Sequence, residues 1–103
     1  DPLWSRGLGD VYKRQVPRQF EHNRYMMMLH GVGLVDEYPS VAYAVDFAEW
    51  GYDGHFEENM VLSVESYIGE RGGHEGVKLE EQVLITAAGA VKLSRTPLVD
   101  GDR

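Results

Sequence analysis

Two stretches of this chain alternate apolar and polar residues with the period of a β-strand, and a glycine-rich segment joins them. Residues 60–68 (MVLSVESYI) put Met60, Leu62, Val64 and Ser66 on one face and Val61, Ser63, Glu65 and Tyr67 on the other. Residues 77–86 (VKLEEQVLIT) put Val77, Leu79, Glu81, Val83 and Ile85 on one face and Lys78, Glu80, Gln82 and Leu84 on the other. Both are rich in β-branched and apolar residues, as strands are. Residues 70–76 (ERGGHEG) read as the turn between them, with Gly72-Gly73 at its tip. Ala87-Ala88-Gly89 marks a second turn, after which residues 90–93 begin a short third strand. The expected unit is an antiparallel meander. One face packs on a core, and the other carries a carboxylate from each long strand.

Upstream the pattern is less regular. Residues 16–29 (VPRQFEHNRYMMML) space Phe20, Met27 and Met28 loosely like a helix and read as its last turns running into a strand. The run Met26-Met27-Met28-Leu29 is core by composition. His30-Gly31-Val32-Gly33-Leu34 follows, and two glycines at alternate positions beside a histidine imply close backbone approach at a site. Residues 36–39 read as a turn. Residues 40–58 read as a loop carrying Tyr43, Phe47, Trp50, Tyr52 and Phe56, long enough to be functional or lid-like. Residues 1–15 (DPLWSRGLGDVYKRQ) show neither period. Their end, GDVYKRQ, resembles translated sequencing-adapter read-through, and the stretch is set aside as a non-native or disordered segment. An ordinary flexible N-terminal segment is the alternative. Residues 16–103 form the domain to be explained.

Composition narrows the possibilities. At 103 residues there is room for one domain. The apolar fraction of 43% is ordinary for a globular core, and no run is apolar for long enough to span a membrane. Cysteine is absent, which excludes disulfides and thiolate metal sites. The formal charge is −7 and disfavours a nucleic-acid surface. Residues 1–15 hold three of the 10 basic and two of the 17 acidic side chains, so setting them aside leaves −8 and the same conclusion.

The candidate chemistry lies on the meander. A hairpin through Gly72-Gly73 sets Glu65 and Glu80 on neighbouring strands, and matched register brings two carboxylates together. Like charges that close need a counter-charge, which a metal ion or an ion pair with Lys78 can supply. His30 by itself fits a satisfied core histidine as well as a ligand. His22, His55 and His74 lie in polar contexts and read as solvated. Gly31-x-Gly33 lacks a third glycine or a following Lys-Ser/Thr and is not a phosphate loop.

Three frames in order, HGVGLVDEYP, NMVLSVES and GVKLEEQVLIT, resemble the C-terminal half of the pita-bread metalloenzymes across about residues 20–97. That family includes methionine aminopeptidase, aminopeptidase P, prolidase and creatinase. The resemblance implies an α+β fold: half of a pita-bread domain, a curved antiparallel sheet with a flanking helix. It implies that His30, Glu65 and Glu80 are metal ligands in a site for two divalent ions (manganese, iron, zinc or cobalt). The family's two aspartate ligands come from an earlier strand pair that this chain does not contain, so the chain alone is expected to be inactive. There are departures. Asn59 and Ser66 replace a glycine and a proline of the family frame, and Lys78 replaces an arginine. At position 37, where prolidase-type peptidases carry a second histidine, this chain has Glu37.

HGVGLVDEYPSVAY and GGHEGVKLEEQVLIT are also similar to the dimethylsulfoniopropionate lyase subgroup that arose within this fold. That resemblance implies Asp36 as the base that removes the proton α to the substrate carboxylate, and Tyr25 as a residue lining the substrate site. A turn residue bonded to its own backbone is the alternative for Asp36, and packing on Met27 and Met28 the alternative for Tyr25. Three functions stand open. The first is a dinuclear-metal hydrolase of the Xaa-Pro aminopeptidase and prolidase type. The second is a metal-dependent lyase releasing dimethyl sulfide and acrylate. The third is a pita-bread binding protein that has lost catalysis. All three imply a cytoplasmic parent, expected to be a homodimer that takes a small molecule or short peptide, without nucleic-acid or membrane partners.

Overall fold

The computed structural model describes residues 18–97. Residues 1–15, read above as foreign to the domain, lie outside the described residues. A short 3-10 helix, Arg18–Asn23, leads into strand β1 (Met27–Val32). Strand β2 (Asp36–Ala42) returns antiparallel to it. A 3-10 turn at Ala44–Asp46 and a single helical turn, α1 (Phe47–Trp50), follow. Strands β3 (Val61–Gly69), β4 (Gly76–Thr86) and β5 (Gly89–Lys92) complete one antiparallel sheet of five strands in the order β2-β1-β3-β4-β5. This is the half pita-bread architecture expected from the sequence frames. Among the described residues no helix is long and apolar enough to cross a membrane.

The meander β3-β4-β5 forms where the alternation places it. Glycine at 72, with φ of 75°, makes the turn, a backbone region that favours glycine. Gly89, with φ of 129°, does the same between β4 and β5. The first half of the domain needs correction. Residues 36–39 are not a turn but the start of β2; the turn is Gly33–Val35, closed by the Gly33 amide donating to the Val35 carbonyl at 3.1 Å. The loop expected over 40–58 begins later, because Val41 and Ala42 pair with β1 and are buried. The expected last helical turns before β1 are 3-10 rather than α, which suits a segment with little helical period.

Two irregularities shape β1 against β2. Met27 pairs with Ala42 and Leu29 with Val41, so Met28 is an extra residue on β1. Such a bulge breaks the alternation, and the consecutive residues Met28 and Leu29 are both buried. Met26, by contrast, is exposed, so the four-residue apolar run is only half core. The second irregularity lies between His30 and Gly31, which pair with Ser40 and Glu37. There the Tyr38 carbonyl presses against Gly31 where a Cβ would be, which explains the glycine after the histidine.

The core gathers Met28, Leu29, Val41, Tyr43 and Leu62, with Phe56, Met60, Val83 and Ile85 packed against it. Leu62 pairs with Val83, as one apolar face requires. The same face opens toward the β3-β4 turn, where Val64, Val77 and Leu79 are exposed. Among the described residues, the core thus covers the Met60–Leu62 end of the predicted apolar face.

Candidate metal centre

Register decides the site. In the β3-β4 ladder Glu65 lies directly opposite Glu80, and in the β1-β3 ladder His30 lies opposite Ser63. Residues 63 and 65 share a face by alternation, so His30, Glu65 and Glu80 project from three adjacent strands to one side of the sheet. One potential ligand atom from each of the three lies within 4.8 Å of the others. Nε2 of His30 is 3.1 Å from Oε2 of Glu65. The Ser63 hydroxyl, almost fully buried, donates to Oε2 of Glu80 at 2.9 Å. Lys78 reaches Oε1 of Glu65 at 3.7 Å. The two readings of the carboxylate pair therefore coexist: Glu65 touches a lysine and also belongs to a cluster that could hold an ion.

The electrostatics follow from this crowding. Burial and the hydrogen bond with Glu80 push the Glu65 carboxyl above its usual range, against the pull of His30 and Lys78. The same hydrogen bond, together with that from Ser63, draws Glu80 down. The pair behaves as one site that prefers a shared proton or a cation to two bare charges. Burial works to lower His30, but its hydrogen bonds to Gly31 and Glu65 and the nearby Asp36 charge outweigh it and raise the imidazole. Nδ1 of His30 donates to the Gly31 carbonyl at 2.8 Å. That bond fixes the tautomer and leaves Nε2, once deprotonated, with its lone pair toward the two carboxylates. An imidazole nitrogen and two carboxylates, oriented and short of positive charge, fit a divalent cation.

An open cleft of about 570 Å³ surrounds this cluster. Tyr25, Met26, Met27, Asp36, Ser40 and Lys78 line it together with the three candidate ligands. All five residues singled out from sequence are thus in one place. Asp36 stands at the first residue of β2 with its side chain 88% exposed and Oδ1 3.8 Å from Nε2 of His30. It is a strand-end residue facing the site, not a turn residue closed on its own backbone. Tyr25 meets residues of β3 and β4. Its ring lies 5.6 Å from that of Tyr67, tilted by 30°, and the Lys78 ammonium sits 4.9 Å from its centroid. The Glu37 side chain folds over Gly33, where a Cβ would lie 2.8 Å from its Cγ. His22, His55 and His74 are exposed, as read from sequence.

Sequence reasoning gave no role to Ser63 or Tyr67. The signal was present in the alternation, which sets both on the Glu65 face. Behind this face the Tyr43 hydroxyl is buried without a hydrogen-bond partner, and burial beside Glu65 raises its pKa.

A model of metallopeptidase family M24 matches residues 2–87. The chain belongs to family M24. The M24 chain is 43% identical over 83 residues to dimethylsulfoniopropionate lyase DddP of Roseovarius nubinhibens, across 81% of this chain and 19% of that protein. It is 44% identical over 79 residues to the protein of the same name in Roseobacter denitrificans, across 77% of this chain and 18% of that protein. The chain spans about a fifth of the length of these curated relatives. M24 proteins are generally dependent on divalent metal ions, in keeping with the cluster on β1, β3 and β4.

Proposed function

We propose that this M24 chain is part of a metal-dependent lyase that cleaves dimethylsulfoniopropionate to dimethyl sulfide and acrylate. In this reading His30, Glu65 and Glu80 are metal ligands, Asp36 is the base and Tyr25 is part of the substrate wall. The observation that carries it is Asp36: an exposed carboxylate at the cleft, 3.8 Å from His30 yet outside the three-residue ligand cluster. A base must reach a C–H bond near the ion without itself being consumed as a ligand. The names of two relatives at 43% and 44% identity support the same substrate.

His30, Glu65 and Glu80 would hold an ion through one nitrogen and two carboxylates. When bound, the ion supplies positive charge to the substrate carboxylate and so makes the adjacent C–H bond more acidic. Asp36 takes that proton. The C–H electron pair becomes the new carbon–carbon double bond, and the carbon–sulfur pair leaves on sulfur, so a sulfonium cation departs as neutral dimethyl sulfide. Tyr25, Met26 and Met27 provide an aromatic and apolar wall for the remainder of a small substrate. No attacking hydroxide is required.

A dinuclear Xaa-Pro hydrolase is the second reading, favoured by the family match itself. There Glu65 or Glu80 would handle a proton. Glu37 counts against it, since an acidic side chain folded over Gly33 stands where that type of peptidase has a histidine. The test offers the full-length protein both a Xaa-Pro dipeptide and dimethylsulfoniopropionate, with manganese, iron or zinc. Dimethyl sulfide without dipeptide cleavage is the expected result. Dipeptide cleavage without dimethyl sulfide overturns the proposal, and a metal-loaded protein that turns over neither is the non-catalytic relative.

A further inference from the structure

Tyr25 lies between the 3-10 helix and β1, in a stretch without regular hydrogen-bonded structure, and its ring is partly exposed. The backbone there does little to fix it. Its side-chain contacts do: the Tyr67 ring at 5.6 Å and the Lys78 ammonium at 4.9 Å. Tyr67 and Lys78 are themselves directly opposed across β3 and β4. The same ammonium lies 3.7 Å from Glu65, so one cation links the ring to the ligand cluster. A second observation concerns glycine. A Cβ at Gly76 would fall 2.5 Å from the Tyr67 hydroxyl and 2.6 Å from its Cζ, so the space for the end of that ring exists because residue 76 has no side chain.

The geometry points to Tyr67 and Lys78 as positioning residues that hold the Tyr25 ring against the cleft, with Gly76 leaving room for Tyr67. They act through Tyr25 and set how tightly substrate is held. This rests on the assignment of Tyr25 to the substrate wall in the proposed function.

The test uses the full-length protein with Tyr67→Leu, Tyr67→Phe, Gly76→Ala and Lys78→Met. Three quantities are measured: the kinetic constants for dimethylsulfoniopropionate, the metal content, and the fluorine resonance of a 3-fluorotyrosine placed at position 25. Loss of one ring–ring contact should raise KM in Tyr67→Leu roughly three- to tenfold, with kcat within about twofold and metal retained. Tyr67→Phe keeps the ring and should restore most of the lost affinity. Gly76→Ala displaces the Tyr67 ring, and Lys78→Met removes the cation. Both should move KM in the same direction and shift the fluorine resonance, which keeps the test decisive if Tyr67→Leu does not fold. Wild-type KM and an unmoved resonance in these variants overturn the inference. So does parallel loss of kcat and metal, which marks a structural role instead. If the full-length protein makes no dimethyl sulfide, the proposed function falls, and the fluorine shifts alone decide the inference.

Discussion

Replacing Asp36 by asparagine separates base from ligand more cleanly than any other change at this site. The side chain is 88% exposed, and His30 lies 3.8 Å from it. The substitution is isosteric and removes no core contact, so stability should change by no more than about 0.5 kcal/mol. His30, Glu65 and Glu80 remain, so the metal content should remain. Loss of a positioned base costs roughly 10²–10⁴-fold in turnover, or about 3–5 kcal/mol of barrier. The assay is dimethyl sulfide release from the full-length protein, alongside metal analysis and thermal unfolding of the same preparation. Asp36→Asn with its metal, its fold and more than a tenth of parental turnover refutes the assignment of Asp36 as base. Loss of metal with the activity refutes it differently, by making Asp36 a support of His30.

His30→Ala, Glu65→Ala and Glu80→Ala should each abolish turnover together with metal content, read by elemental analysis; an active variant with full metal removes that residue from the ligand set. Apparent metal affinity should rise with pH, because the His30 imidazole is raised above its ordinary value and its Nε2 proton must leave before the nitrogen can bind a cation. Titration calorimetry at several pH values checks this through proton release, and a pH-independent affinity contradicts it. Leu62→Ala, at a position only 2% exposed in the core, should lower the unfolding free energy of the full-length protein by about 2–5 kcal/mol. Denaturant midpoints report that loss.

How much could be read from the sequence depended on what was local. The β3-β4 hairpin was legible because period-two alternation and the Gly72 turn act over neighbouring residues. Once that register holds, Glu65 opposite Glu80 follows without further information. The β1-β2 hairpin was not legible. Its turn is Gly33–Val35, and its strands carry irregularities at Met28 and between His30 and Gly31 that hide the alternation. The Asp-Glu-Tyr-Pro stretch that resembles a turn by composition is held extended by pairing with β1, a tertiary influence that local propensity does not contain. The contact of Tyr25 with Tyr67 was equally out of reach, because it depends on the 3-10 helix delivering residue 25 to the far end of β3.

The division of labour within the sheet gives the site its logic. Candidate ligands come from β1, β3 and β4, consecutive strands at the centre of the sheet, where ladders on either side fix each backbone. A cation site needs that rigidity, since ligand distances tolerate little error. Asp36 and Glu37, which separate the lyase reading from the peptidase reading, lie on β2, the outermost strand among the described residues, beside the register shift at His30–Gly31. Tyr25 lies before β1, outside any strand. An outer strand with an irregular ladder can exchange a histidine for a glutamate, or gain a carboxylate at its first residue, without disturbing the central register. The residues proposed to select the reaction therefore sit toward the margin of the described strands, and those proposed to hold the ion sit on the central strands.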